Sequence, residues 1–291
     1  MIRARILPVL TVISLIVALW YAGAAALNLQ FEYDQAERSG NEIGFSQALS
    51  KTMSQERPVL PAPHQVANEI WKTTALKKVT SKRSLVYHAL ITLSVTLVGF
   101  VMGTALGILL AVGIVHSRVL DKSMMPWIIT SQTIPILALA PMIIVVLNSV
   151  GVTGLFPKAV ISTYLSFFPV AVGMVKGLRS ADHMHLDLMK TYSAKTSETF
   201  WKLRWPSSMP YLFTSMKIAI AASLVGAIVG ELPTGAVAGL GARLLAGSYY
   251  GQTVQIWSAL IVAAVLAGTL VALVGLLGSA LNKRMGVREA A

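Results

Sequence analysis

Long apolar runs alternate with short charged joints along this chain. Residues Ile6–Phe31, Ser84–Ser117, Ser123–Pro157, Ala159–Val175 and Leu244–Asn282 contain no Asp, Glu, Lys or Arg. A bilayer core about 30 Å thick is crossed by roughly 20 helical residues, so each run predicts a transmembrane helix. A sixth helix is expected from about Tyr211 to Leu232. Its apolar heart, IAIAASLVGAIVG at Ile218–Gly230, is bounded by Lys217 and Glu231, which lie near the ends where long side chains reach the headgroups. The expected fold class is all-α: a polytopic membrane protein of about six transmembrane helices.

Composition supports this reading. Of 291 residues, 55% are hydrophobic and 12% charged, against roughly 25% charged in an ordinary soluble domain. The net charge of +12 can suggest nucleic acid. Here the excess sits at helix ends, as the positive-inside rule requires, and no nucleic-acid partner is expected. The chain has no cysteine, which excludes disulfides and thiolate metal or redox sites without fixing a compartment. The first apolar run follows the basic start MIRAR and is read as an uncleaved anchor, because it is longer than a signal core. The small residues Ala22–Ala26 keep cleavage open.

The basic sets Arg3 and Arg5, Arg118 and Lys122, Arg179 to Lys217, and Lys283, Arg284 and Arg288 fall on one face of the six-span topology, taken as cytoplasmic together with both termini. The opposite face holds Lys158, Arg243 and a long connector. Expected domains are an N-terminal helix (1–29), a periplasmic connector (30–84), and a five-helix core (85–291) with a cytoplasmic loop at 179–210. The run KKVTSKR, Lys77–Arg83, resists this topology, since it places cations externally just before the second span. It is read as an amphipathic helix on the outer surface, the alternative being a different placement of the first span.

The third span carries Pro126, Pro135 and Pro141 with Ser131, Gln132 and Thr133. Proline withdraws a backbone donor, which membranes tolerate where neighbours or a cavity satisfy the freed carbonyl. Gln132 and Pro135, with Tyr164, Phe167, Phe168 and Glu231, are candidate translocation-path residues. The aromatics can stack on a flat ligand, although aromatics at span ends also serve as interface anchors. Gly99, Gly103 and Gly107 repeat at a spacing that lets helices approach closely. No glycine-rich phosphate loop, catalytic constellation or metal-ligand cluster is found, so no catalytic residue, metal or cofactor is expected. His183 and His185 lack a clear third ligand and read as a solvated pair.

Between the fourth and fifth spans lies GLRSADHMHLDLMKTYSAKTSETFWKLRWPSSMPYLFTSMKIAI, Gly177–Ile220. It reads as two short helices. The first spans about Ser180–Thr191 with Asp182 near its start. The second begins at Ser197 with Glu198 in its first turn, and Pro206 and Pro210 are expected to end it. At these residues the chain resembles the permease subunits of ATP-binding-cassette importers, in the family handling nitrate, sulfonates, taurine and thiamine or riboflavin precursors. Members read roughly GLRSVDPELLEAARTLGAS and then LPAALPYIFTGLRIAL. In that register Asp187, Leu188 and Met189 stand at the Glu-Ala-Ala positions, Ser193 at a characteristic glycine, and Pro206 and Pro210 at two prolines. LPAPHQV at Leu60–Val66 resembles the family's LPSP element, and Glu231 stands where many members have an acid.

The resemblance implies a type I importer permease that works as a pair, a homodimer of this chain being expected, with two cytoplasmic ATPases and a periplasmic or lipid-anchored binding protein in the bacterial inner membrane. It implies that a coupling helix, with Asp187, Leu188, Met189, Tyr192, Ser193 and Ala194, docks into the ATPase. Leu188, Met189 and Tyr192 are expected to share one face. The stretch Glu231–Thr253 looks more like the subgroup for pyrimidine precursors of thiamine or for riboflavin than the sulfonate subgroup. The rival reading, an ion-gradient-driven carrier, is disfavoured by the scarcity of charge within the spans.

Overall fold

The computed structural model describes residues 2–40, 43–233 and 236–286, with side chains from Ile6 onward. Arg288 lies outside the described residues, as do the side chains of Arg3 and Arg5 and, after Glu231, Thr234 and Gly235. The described residues are mostly helical, with no strand among them. Five helices are long and apolar enough to cross a membrane, and a sixth crossing results if one bent pair counts as a span.

The chain forms two compact units, one of residues 1–88 with 243–262, the other of 89–242 with 263–291. In the first, α1 (Ile2–Arg38) runs for 37 residues, well beyond its apolar run. At 1.5 Å per residue it is about 55 Å long, so its last turns outreach the hydrocarbon. They pack against α2 (Phe45–Thr52) and α3 (Pro63–Thr74). The LPAP element is held from several sides. Asn28 accepts from Val59 N–H and Leu60 N–H at 2.7 and 3.2 Å and donates to Leu60 O at 2.8 Å. Trp20 donates to Pro61 O, and Gln65 caps α3 by accepting from Ala62 N–H. The distant segment joins the unit through a Trp20–Trp257 ring contact at 5.0 Å and a bond from Thr253 Oγ1 to Pro58 O.

The run Lys77–Arg83 is not helical. It winds into successive turns, with Ser81 N–H bonded to Lys78 O and Ser84 N–H to Ser81 O. The amphipathic helices of the connector are α2 and α3 instead, because the basic run, with Val79 its one apolar residue, lacks the apolar repeat that a helix needs to bury one face.

The second unit is organised on α4 (Leu85–His116, from Ala89 onward), α7 (Leu155–Leu178) and α10 (Trp205–Glu231). Gly99, Gly103 and Gly107 do let α4 close on α7. A Cβ at Gly99 would lie 2.2 Å from Ser162 Oγ, and one at Gly107 2.8 Å from Phe167 O. Gly226 brings α10 equally near, a Cβ there meeting Ser162 Cα at 2.6 Å. Close approach in turn aligns short hydroxyls. Ser162 donates to Ser223 O, Ser223 to Thr96 O, and Thr163 and Ser166 to Gly99 O, so serine and threonine bonds tie the three helices together. After α11 (Leu240–Tyr249), α12 (Thr253–Arg284) lies against α10, with Gly278 on Phe213.

The expected third span is broken. α5 (Arg118–Ser131) and α6 (Ile136–Ser149) meet at 103°, with Pro135 immediately before α6. The chain is also helical through Pro206 and Pro210, which were expected to end a helix. Pro206 stands beside a local change of helical register and not at a free helix start, since the helix is continuous from Thr196 to Glu231. Ahead of it, α9 (Thr196–Thr199) runs into a widened turn at Phe200–Arg204, where Trp205 N–H bonds to Phe200 O five residues back.

Candidate functional site

Two parts of the second unit carry the sequence-predicted residues. The first is the elbow between α7 and α10. Its short helix α8 (His183–Thr191) begins where Asp182 accepts from Met184 N–H at 2.9 Å. It ends at Ser193, the only non-glycine among the described residues with positive φ, at +52°. Ala194 N–H returns to Met189 O and Ser193 N–H to Lys190 O, the bonding pattern of a helix end closed by a left-handed residue. Glycine occupies that conformation without strain and serine does not, which explains the glycine in the family pattern.

The helix divides its apolar residues. Met184, Leu188 and Tyr192, spaced four apart, are 77%, 51% and 77% exposed. Leu186 and Met189 are partly covered instead, so Met189 is not on the stripe that Leu188 and Tyr192 share. Asp187 bonds Lys190 at 2.9 Å, and that cation holds its carboxyl below the usual range. Behind α8 lies a cavity of about 410 Å³, lined by His116, His183, Leu186, Asp187, Lys190 and Arg204 among others.

The elbow is anchored firmly. Phe200 is buried, with the rings of His116, Trp201 and Trp205 between 5.0 and 5.9 Å away. Arg204 donates to Leu178 O at the end of α7, and Arg179 pairs with Asp121 at 2.8 Å. None of these anchors had been singled out individually. The aromatic repeat Phe200, Trp201, Trp205 was the available signal.

The second part surrounds the α5–α6 break. In an unbroken helix Ser131 O would accept from the N–H of residue 135. That residue is proline, and the hydroxyl of Tyr164, on α7, donates to Ser131 O in its place. Gln132 caps α5 and donates to Ser131 Oγ at 3.3 Å. Gln132, Pro135 and Tyr164 are thus brought together. Phe167 lies one turn along, its ring 6.2 Å from Tyr164, but is buried in the core, and Phe168 is half-buried beside it.

Glu231 is elsewhere, at the far end of α10, fully buried. Its carboxylate accepts from Thr92 Oγ1 at 2.8 Å and from Gly241 N–H at 2.7 Å, while Thr92 accepts from Leu240 N–H. Gly239, at φ +128°, lies so close that a Cβ would fall 2.3 Å from the carboxyl carbon. This carboxylate fastens the loop at 239–241 to α4 and α10. Among the described residues no group of three His, Asp or Glu is placed to hold a metal ion.

Residues 103–287 match the model of the family described as binding-protein-dependent transport system inner membrane component. The chain is 30% identical over 219 residues to the riboflavin transport system permease protein of Chloroflexus aurantiacus, covering 75% of this chain and 78% of that protein. It is 29% identical over 194 residues to the formylaminopyrimidine transport permease protein of Halalkalibacterium halodurans, covering 66% and 72%. To the nitrate import permease protein of Leptolyngbya laminosa it is 25% identical over 225 residues, covering 75% and 77%. The elbow, the close-packed helices and these matches agree: the chain belongs to the inner membrane components of binding-protein-dependent transport systems, as a permease subunit of an ATP-binding-cassette importer.

Proposed function

We propose that this permease couples to cytoplasmic ATPase subunits through α8 and conducts a small flat heterocycle. The observation that carries the coupling role is the exposed stripe Met184, Leu188 and Tyr192 on a nine-residue helix closed at both ends. An isolated helix so short is unstable in water. Caps close this one at both ends, and the apolar stripe is the face a partner groove would cover. The permease works as a homodimer with two ATPases and an external solute-binding protein. Both termini lie in the cytoplasm, and the bent α5–α6 pair counts as one crossing.

For the solute, support comes from two relatives named for riboflavin and formylaminopyrimidine, both planar nitrogen heterocycles. Tyr164, bonded to the helix break, and Phe168, half-buried four residues along α7, offer ring faces of that kind. An ion-gradient-driven carrier gains no support from this family. The test uses the cysteine-free background. A cysteine at Leu188 should cross-link to the ATPase and be shielded by it from thiol reagents. One at Ser46 should react with an impermeant reagent from outside. A Leu188 cysteine that labels equally with and without the ATPase would overturn the docking assignment.

A further inference from the structure

The basic run before α4 has no part in coupling or in the helix break. From Ile70 to Leu120 the chain has no Asp or Glu, while Lys72, Lys77, Lys78, Lys82 and Arg83 fall within twelve residues. All five are exposed, and none makes an ion pair among the described residues. Exposed apolar side chains are interleaved with them: Trp71, Leu76 and Val79. The run is a built element. Arg83 N–H bonds to Ser81 Oγ at 3.3 Å, and the ring of His88, in the first turn of α4, donates to Lys82 O at 3.0 Å.

Its position fixes its surroundings. α4 begins at Leu85 and is long and apolar enough to cross a membrane, so Arg83 lies two residues before the start of a membrane-crossing helix. Lys77 is eight residues back, within roughly 28 Å even if extended, and the turns shorten that reach. Short loops of this sign are disfavoured outside the membrane, whereas long connectors are exempt, and five unpaired cations kept beside a bilayer edge need an anionic partner.

We propose that Trp71–Arg83 is a lipid-headgroup site. Lys77, Lys78, Lys82 and Arg83 bind the phosphates of anionic phospholipids in the leaflet where α4 begins, while Trp71, Leu76 and Val79 seat in the headgroup layer. Trp at that depth places its ring in the interface and its N–H towards water, and lysine stems lie along the apolar surface with their ammonium groups on the phosphates. The site depends on α4 crossing the bilayer and is independent of the transport reading.

The full chain is placed in nanodiscs of phosphatidylcholine with phosphatidylglycerol, and retained phosphatidylglycerol is measured by native mass spectrometry. Each cation near an anionic surface contributes about fivefold. The variant K77Q/K78Q/K82Q/R83Q should therefore lose phosphatidylglycerol retention at least about a hundredfold. K77R/K78R/K82R should keep it. If the quadruple variant does not fold, K77Q/K78Q should lose roughly twenty-fivefold. Unchanged retention in the glutamine variants overturns the proposal. So does displacement of the lipid by inorganic phosphate, which would make this a free-anion site. Loss of binding to the solute-binding protein with lipid retention intact would assign the cations to that partner instead.

Discussion

Replacing Tyr164 by Phe removes one hydroxyl and keeps the ring. The hydroxyl stands in for the N–H that Pro135 lacks, so its loss leaves Ser131 O without the donor that an unbroken helix would have supplied. An orphaned carbonyl costs about 1–3 kcal/mol, and because Ser131 and Tyr164 are only half-buried we expect the lower part of that range, about 1–2 kcal/mol. The decisive control is Pro135→Ala, which restores a backbone N–H at the required position. In that background Ser131 O can regain its helical donor, and Tyr164→Phe should cost less than half as much. Unfolding free energies by detergent titration of the four proteins give the coupling directly. Equal cost of Tyr164→Phe in both backgrounds would refute the substitution of hydroxyl for amide. Uptake should fall in Pro135→Ala, because the straightened helix removes the 103° break.

Ser193→Gly should relieve a left-handed strain of about 1–2 kcal/mol and protect the elbow from proteolysis, whereas Ser193→Pro forbids φ +52°, removes the bond to Lys190 O and should abolish uptake. Gly226→Ala should destabilise the core by about 1–3 kcal/mol in thermal unfolding, since its methyl meets the Ser162 backbone. Gly268→Ala, with open space around it, should be neutral or stabilising. Glu231→Ala leaves two buried donors, Thr92 Oγ1 and Gly241 N–H, without their acceptor and should cost roughly 2–4 kcal/mol, while Glu231→Gln keeps an acceptor and should cost less.

Span positions were legible because apolar length is a one-dimensional signal, and the α4 glycines met α7 as their spacing implied. The end of α8 at Thr191 matched the expectation, and Ser193 stood out through the family's glycine, but the helix starts at His183 and not near Ser180, because Asp182 caps it from outside its first turn. Proline misled in both directions. Pro206 ends nothing, and the helix passes through it just after its bonding widens to five residues at Phe200–Arg204. Pro135 breaks a span outright, because Tyr164, 29 positions along the chain, supplies what the break would otherwise leave unsatisfied. Such compensation between distant residues leaves no local trace. The stripe on α8 was only partly resolved, since spacings of one, three and four overlap within nine residues and the cavity behind the helix decides which side is covered.

α8 is the element proposed to meet the ATPase. Tyr192 is exposed at its end, so Tyr192→Asp introduces a carboxylate on the docking face without touching the core. The direct measurement is solute-stimulated ATP hydrolysis by the reconstituted complex, with co-purification of the ATPase read from the same preparation. We expect hydrolysis to lose its stimulation and the ATPase to dissociate, with permease yield and thermal stability near those of the wild type. Normal stimulation with a fully retained ATPase would contradict the assignment of coupling to α8.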